Sequence, residues 1–140
     1  MIVLDTHVVS ELMRSPPSAA VVTWLHSHRV AGLCTTAVTV AEVRYGIERL
    51  ADGRRKDQLR SAANQVFAAF PRQVLPFDAA AAAEYADLVA GRERAGAVIS
   101  GFDAQIAAVC RVHGAALATR NSKDFRDTGI EVVDPWQSQT

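Results

Sequence analysis

Five short β-favouring runs alternate along this chain with segments of helical period, and that alternation decides most of what it can fold into. Residues 2–4 (Ile-Val-Leu), 33–36, 74–75, 115–118 and 131–133 read as strands. Helices are expected over 8–13, stopped by Pro16 and Pro17, and over 19–28, where Val21, Val22 and Leu25 share a face beside Trp24. Val40, Val43, Ile47 and Leu50 mark a third helix, closed by the Asp52-Gly53 turn. Leu59, Ala63, Val66, Phe67 and Phe70 mark a fourth, ended at Pro71. These two should pair as a helical hairpin over about residues 38–70. Asp78 caps an alanine-rich helix running to about Glu93. Ile99, Phe102, Ile106 and Val109 place a last helix near 101–113, before Gly114. Strands that alternate with helices imply an α/β fold with a parallel sheet covered on both faces. A length of 140 residues, 49% of them hydrophobic, suits a single domain over 1–140 with a proper core.

The formal net charge is zero, which argues against a protein that wraps DNA by itself. Thirteen of the fifteen basic residues are arginine, the other two being Lys56 and Lys123. Arginine suits bidentate contact with phosphate or carboxylate; a GC-rich genome would produce the same bias. Cys34 and Cys110 each lie in an apolar segment without metal-type spacing and read as reduced core residues of a cytoplasmic protein. The N-terminus lacks a basic n-region and a long apolar h-region, so no secretory signal is expected. No run approaches the ~20 apolar residues needed to cross a membrane.

The acids hold the functional signal. Asp5 ends the first strand, Glu42 lies just past the second, and Asn121 and Asp124 lie just past the strand at 115–118. Asp103 opens the helix before that strand, flanked by Phe102 and Ile106, and should be half-buried. In a parallel α/β sheet such positions gather at the carboxyl edge of the strands, where ligands bind. Each acid also has a local reading. Thr39 and Glu42 have the form of a capping box, Ser100 and Asp103 a related one, and Asp5 and Asn121 are good N-cap residues. Capping alone leaves unexplained why these few acids in apolar surroundings share one edge. Two carboxylates about 5 Å apart repel by roughly 3 kcal/mol at an effective dielectric of 20. A divalent cation removes that cost, and all-oxygen donors suit Mg²⁺ or Mn²⁺ over zinc. Metal-held water is standard equipment for phosphodiester hydrolysis. His26, His28 and His113 form no competing metal spacing.

The stretches "IVLDTHVVSELMR", "TTAVTVAEVRYGIERL", "VLPFDAAAAAEYADL", "GFDAQIAAVCRVHGAALATRNSKDF" and "VVDPW", in this order over residues 2–136, resemble the PIN-domain proteins, and among them the VapC/FitB-type toxins of bacterial toxin–antitoxin pairs. The resemblance implies a three-layer α/β/α fold with a central parallel sheet. It implies a metal-dependent ribonuclease whose acidic quartet falls on Asp5, Glu42, Asp103 and, at the fourth position, Asn121, with Asp124 three residues on. Thr6 and Thr119 match small hydroxyl positions beside the acids. The chain departs at His7, where the family usually has asparagine or serine. A histidine there is expected to hydrogen-bond an acid or add positive charge as pH falls, altering activity with metal binding intact.

On this reading Asp5 and Asp103 ligate Mg²⁺ or Mn²⁺, and Glu42 binds through water or orients the attacking water. Asn121 or Asp124 completes the outer shell or a second metal site. Arg120, beside the acidic edge, is a candidate phosphate contact, as is Arg44 from the basic run at 44–60, whose plain alternative is a solvated helical face. The resemblance further implies a cognate antitoxin, operator DNA contacted chiefly through that antitoxin, an RNA substrate, and a homodimer away from membranes. The rival from another class is a weakly active or inactive PIN protein serving mainly as a binding partner in the antitoxin–operator complex. An aspartyl-phosphate enzyme is disfavoured, because haloacid-dehalogenase-type phosphatases need an acid where His7 stands. A receiver domain is disfavoured too, because no acid pair precedes a phosphoacceptor.

Overall fold

The computed structural model describes residues 1–70 and 73–137. Five strands form one parallel sheet in the order β3-β2-β1-β4-β5, where β1 is Ile2–Leu4, β2 Leu33–Thr36, β3 Val74–Leu75, β4 Ala116–Ala118 and β5 Val132–Val133. The α/β architecture with helices on both faces is the one expected. The chain builds outward from β1 to β2 and β3, then returns to place β4 on the other side of β1. The order therefore reverses between β1 and β4, and the loops leaving those strands diverge to open a crevice at the carboxyl edge.

Strand periodicity explains the two cores. Val3, Cys34 and Leu117 belong to one apolar cluster, while their neighbours Leu4, Leu33 and Ala118 belong to the other. Successive side chains on a strand point to opposite faces, so a buried three-residue strand feeds both layers. The first cluster is completed by Leu88 of α5 (Ala79–Arg94) and by Ile106 and Cys110 of α6 (Gly101–His113). The second is completed by Val8 of α1 (Thr6–Leu12), Trp24 of α2 (Ala19–His26), Ile47 of α3 (Ala37–Glu48) and Ala63 of α4 (Arg54–Ala68). Both cysteines are free and buried, and burial pushes the Cys34 thiol up to about 11 and that of Cys110 up to about 12.

The α3–α4 hairpin forms as expected, though the helix stop assigned to Pro71 lies outside the described residues. Lys56, only 8% exposed, ties its turn by donating to Glu48 O at 3.1 Å and Asp52 Oδ1 at 3.2 Å. One local expectation is corrected. The N-cap of α3 is Thr36, whose hydroxyl accepts from Thr39 N–H at 3.0 Å, so Thr39 and Glu42 do not form a capping box. The helix starts as soon as β2 ends, because the last strand residue is itself a good cap. Glu42 then lies beyond the first turn, its carboxylate free for another use. Among the described residues no helix is long and apolar enough to cross a membrane.

Candidate active site at the carboxyl edge of the sheet

Asp5 is both a cap and a site residue. Its N–H extends the sheet by donating to Ala118 O at 3.1 Å, and its Oδ1 accepts from Val8 N–H at 3.0 Å at the start of α1. The side chain is nearly sealed, with the residue 2% exposed. Its second oxygen, Oδ2, stands 3.5 Å from His7 Nδ1. The Asp5 carboxylate lifts the His7 pKa above its ordinary value, and the charges of Asp103 and Glu42 add to that.

Thr6 donates its hydroxyl to Glu42 Oε1 at 2.6 Å and lies 3.3 Å from Thr39 Oγ1. A charge-assisted bond this short fixes the Glu42 carboxylate against the start of α1. Asp103, half-buried in the first turn of α6, has its backbone N–H held by the Ser100 hydroxyl at 3.2 Å. Burial raises its carboxyl above the usual carboxylate range, the Ser100 hydrogen bond opposes that, and the charges of Asp124, Glu42 and Asp5 raise it further.

On the β4 side, buried Thr119 continues the ladder to Val133 O at 2.9 Å and accepts from Asn121 N–H at 3.1 Å. The Asn121 side chain caps nothing; its Nδ2 lies 3.4 Å from His7 Nε2. Asp124 sits in a 3-10 turn, Ser122–Phe125, with its carboxylate exposed.

A cleft of about 1080 Å³ opens beside Thr6, His7 and Glu42, and Arg14, Arg55 and Arg120 also line it. The Arg120 guanidinium lies 4.8 Å from the centroid of the Trp136 ring. Arg44 does not line the cleft: it donates to Asn64 Oδ1 at 2.8 Å and covers the Phe67 ring at 5.3 Å, bracing α3 against α4. Sequence reasoning missed Arg14, placed by a contact to Glu11 at 3.3 Å, and it missed Glu11 itself, buried and accepting from Ser18 N–H at 2.8 Å. An acid in the last turn of a short helix, three residues before an arginine just past its end, was the available signal.

Among the described residues no three His, Cys, Asp or Glu side chains form a ready ligand cluster. The donor set still fits a hard cation. Its donors are oxygens, and Mg²⁺ keeps several waters, needing only one or two direct carboxylates.

The PIN domain family model matches residues 2–131. The chain belongs to the PIN domain family. As a PIN domain it is 38% identical to "VapC ribonuclease Y4jK" of Sinorhizobium fredii, across 98% of this chain and 99% of the relative. It is 36% identical to "Toxin FitB" of Neisseria gonorrhoeae, across 97% and 99%. Among solved structures it resembles that of FitAB bound to an IR36 DNA fragment, with a TM-score of 0.91 and 35% identity over 100% of this chain and 99% of the other. This PIN domain presents an imidazole, His7, to Asp5.

Proposed function

We propose that this PIN domain is the toxin of a toxin–antitoxin pair, an endoribonuclease that uses Mg²⁺ or Mn²⁺. The observation that carries the reading is one of topology: Asp5 follows β1, Glu42 lies in α3 after β2, Asp103 opens α6 and Asp124 lies past β4, positions that a parallel sheet gathers at its carboxyl edge. Relatives named as a ribonuclease and a toxin support it. Asp5 and Asp103 would hold the cation, with Asn121 and Asp124 in the outer shell. When bound, the metal supplies Lewis-acid neutralisation of the scissile phosphate and a water of lowered pKa. Glu42, fixed by Thr6, orients the attacking water and accepts its proton. Water oxygen bonds to phosphorus, the bond to the leaving nucleotide oxygen breaks, and that oxygen takes up a proton. Thr119 sets the height of Asn121, and Arg120 on the cleft wall meets the RNA backbone. Arg44 belongs to hairpin packing on this reading, and Arg55 takes the phosphate role expected of the basic run.

The same reading includes a cognate antitoxin, operator DNA reached through it, a homodimer, a cytoplasmic location and one domain over residues 1–140. A second reading, a weakly active chain acting mainly in an antitoxin–operator complex, is favoured by one observation: His7 already pairs with the first acid. Purified, antitoxin-free protein incubated with total RNA separates the two. Discrete fragments that need Mg²⁺ or Mn²⁺, and that disappear with chelator and with Asp103→Asn, are expected. Intact RNA in the presence of folded protein and metal would move the conclusion to the binding role.

A further inference from the structure

We propose that Arg92 is a positioning residue that ties together the two chain segments carrying Asp103 and Asp124. Arg92 lies in the last turns of α5 and is 5% exposed. Among the described residues it makes no ion pair with a carboxylate. Its guanidinium instead donates to four backbone carbonyls. Nε donates to Ala97 O at 3.3 Å and Nη2 to Val98 O at 3.1 Å. Nη1 donates to Asp124 O at 3.1 Å and Arg126 O at 2.5 Å. The Arg92 carbonyl also accepts from Ala97 N–H at 2.9 Å, so the loop is gripped from both sides.

The partners reveal the purpose. Ala97 and Val98 lie in the loop that leads to Ser100, the N-cap that sets the first turn of α6 and with it Asp103. Asp124 and Arg126 lie in and just past the 3-10 turn after β4. Among the described residues the Arg92 side chain hydrogen-bonds to both segments, and Phe125 of the turn packs in the same apolar cluster as Ala104 and Ile106 of α6. A buried cation is costly unless its donors are satisfied. Here four carbonyl dipoles meet a fork of five N–H donors, a geometry that lysine, with its donors on one nitrogen, does not reproduce.

The inference rests on the metal reading for its effect on the site, but the clamp itself is tested separately. Intact Arg92→Lys and Arg92→Gln proteins are compared with wild type by amide hydrogen exchange and by Mn²⁺ titration calorimetry. Arg111→Gln serves as control, because it cuts the α5–α6 ion pairs to Glu84 and Asp87 and touches neither segment. In Arg92→Lys, exchange over residues 96–100 and 122–126 should rise at least about tenfold, with Mn²⁺ affinity weakened ~10–100-fold as for other outer-shell supports. Saturating Mn²⁺ should restore most of the cleavage rate, so the metal constant moves more than kcat.

Unchanged exchange in those segments overturns the clamp. Faster exchange with unchanged Mn²⁺ affinity overturns the positioning role and leaves a purely structural one. A wild type that binds no Mn²⁺ while the exchange result holds overturns the metal reading and leaves the clamp standing. Should both Arg92 variants unfold, the wild-type Arg92 Nε–H resonance decides: it should be slow to exchange and shift on Mg²⁺ addition, and a resonance that does neither overturns the proposal.

Discussion

The two sides of the acidic edge are held by different means. On the β1–β2 side the carboxylates themselves are gripped: Asp5 by the Val8 N–H at 3.0 Å, Glu42 by the Thr6 hydroxyl at 2.6 Å. On the β4 side the grip is on the backbone. Ser100 holds the Asp103 N–H, and Arg92 holds the Asp124 carbonyl. The first pair is oriented before any ligand arrives, at the cost of donors already spent. On the second side the Asp103 carboxyl feels the charge of Asp124 as well as the favourable Ser100 hydrogen bond. A site built this way combines a fixed anchor with acids that a cation can recruit.

Among changes that leave every acid in place, the largest effect should come from loosening the fixed side. Thr6→Val keeps the shape and removes the donor to Glu42. A hydrogen bond to a charged group is worth ~1.5–3 kcal/mol, so the RNA-cleavage rate should fall ~10–100-fold and the melting temperature should drop by several degrees. A variant as fast as wild type would mean that Glu42 needs no such support.

Next is the strain on the recruitable side. Asp103 has its carboxyl raised above the ordinary 3.8, chiefly by burial, so the folded chain binds that proton more tightly than the unfolded chain. Its favourable contribution is complete below the unfolded value and is lost as pH rises through the folded one. In chelator, Asp103→Asn should therefore melt a few degrees higher than wild type at pH 7, and the gap should shrink toward pH 3. Thermal scans across that range check it; a gap that widens on acidification would reverse the assignment. The same variant should be inactive on RNA, which sets stability against activity at one residue.

The smallest effect belongs to His7, which touches both sides through Asp5 and Asn121. Its side chain is 55% exposed, so its pairing with Asp5 is solvent-screened. With one partner buried and the other open to water, the pair is worth roughly 1 kcal/mol or less, and His7→Asn should speed cleavage by only about two- to fivefold, by returning Asp5 Oδ2 to the site. Identical rates for the two proteins would show that the imidazole does not compete for Asp5. A drop in rate would make it a helper.

Most elements were legible in the sequence because their signals are local. Strand β2 falls on the residues expected, and α6 falls on 101–113 as its period and Gly114 indicated. Gly114 ends that helix at φ 59°, the left-handed conformation glycine tolerates best. The Thr39–Glu42 capping box failed for a local reason: Thr36 offered an equally good hydroxyl one turn earlier. Asp5, Glu42 and Asp103 could be singled out by their places relative to strands and helix starts. Arg44 and Arg14 could not be sorted, since a basic residue near the right segment can face its own hairpin or the cleft, and only packing chooses.

The sequence by itself determined the alternating α/β plan, the two-faced strands and the placing of acids at the ends of elements, because periodicity and capping act over a few residues. The tertiary structure alone decided which acids meet and what holds them. Thr6 reaches Glu42 across 36 positions, and Arg92 reaches Asp124 and Arg126 across 32 and 34. Such partners are chosen by the order in which parallel strands lie side by side, and no short-range pattern encodes that order.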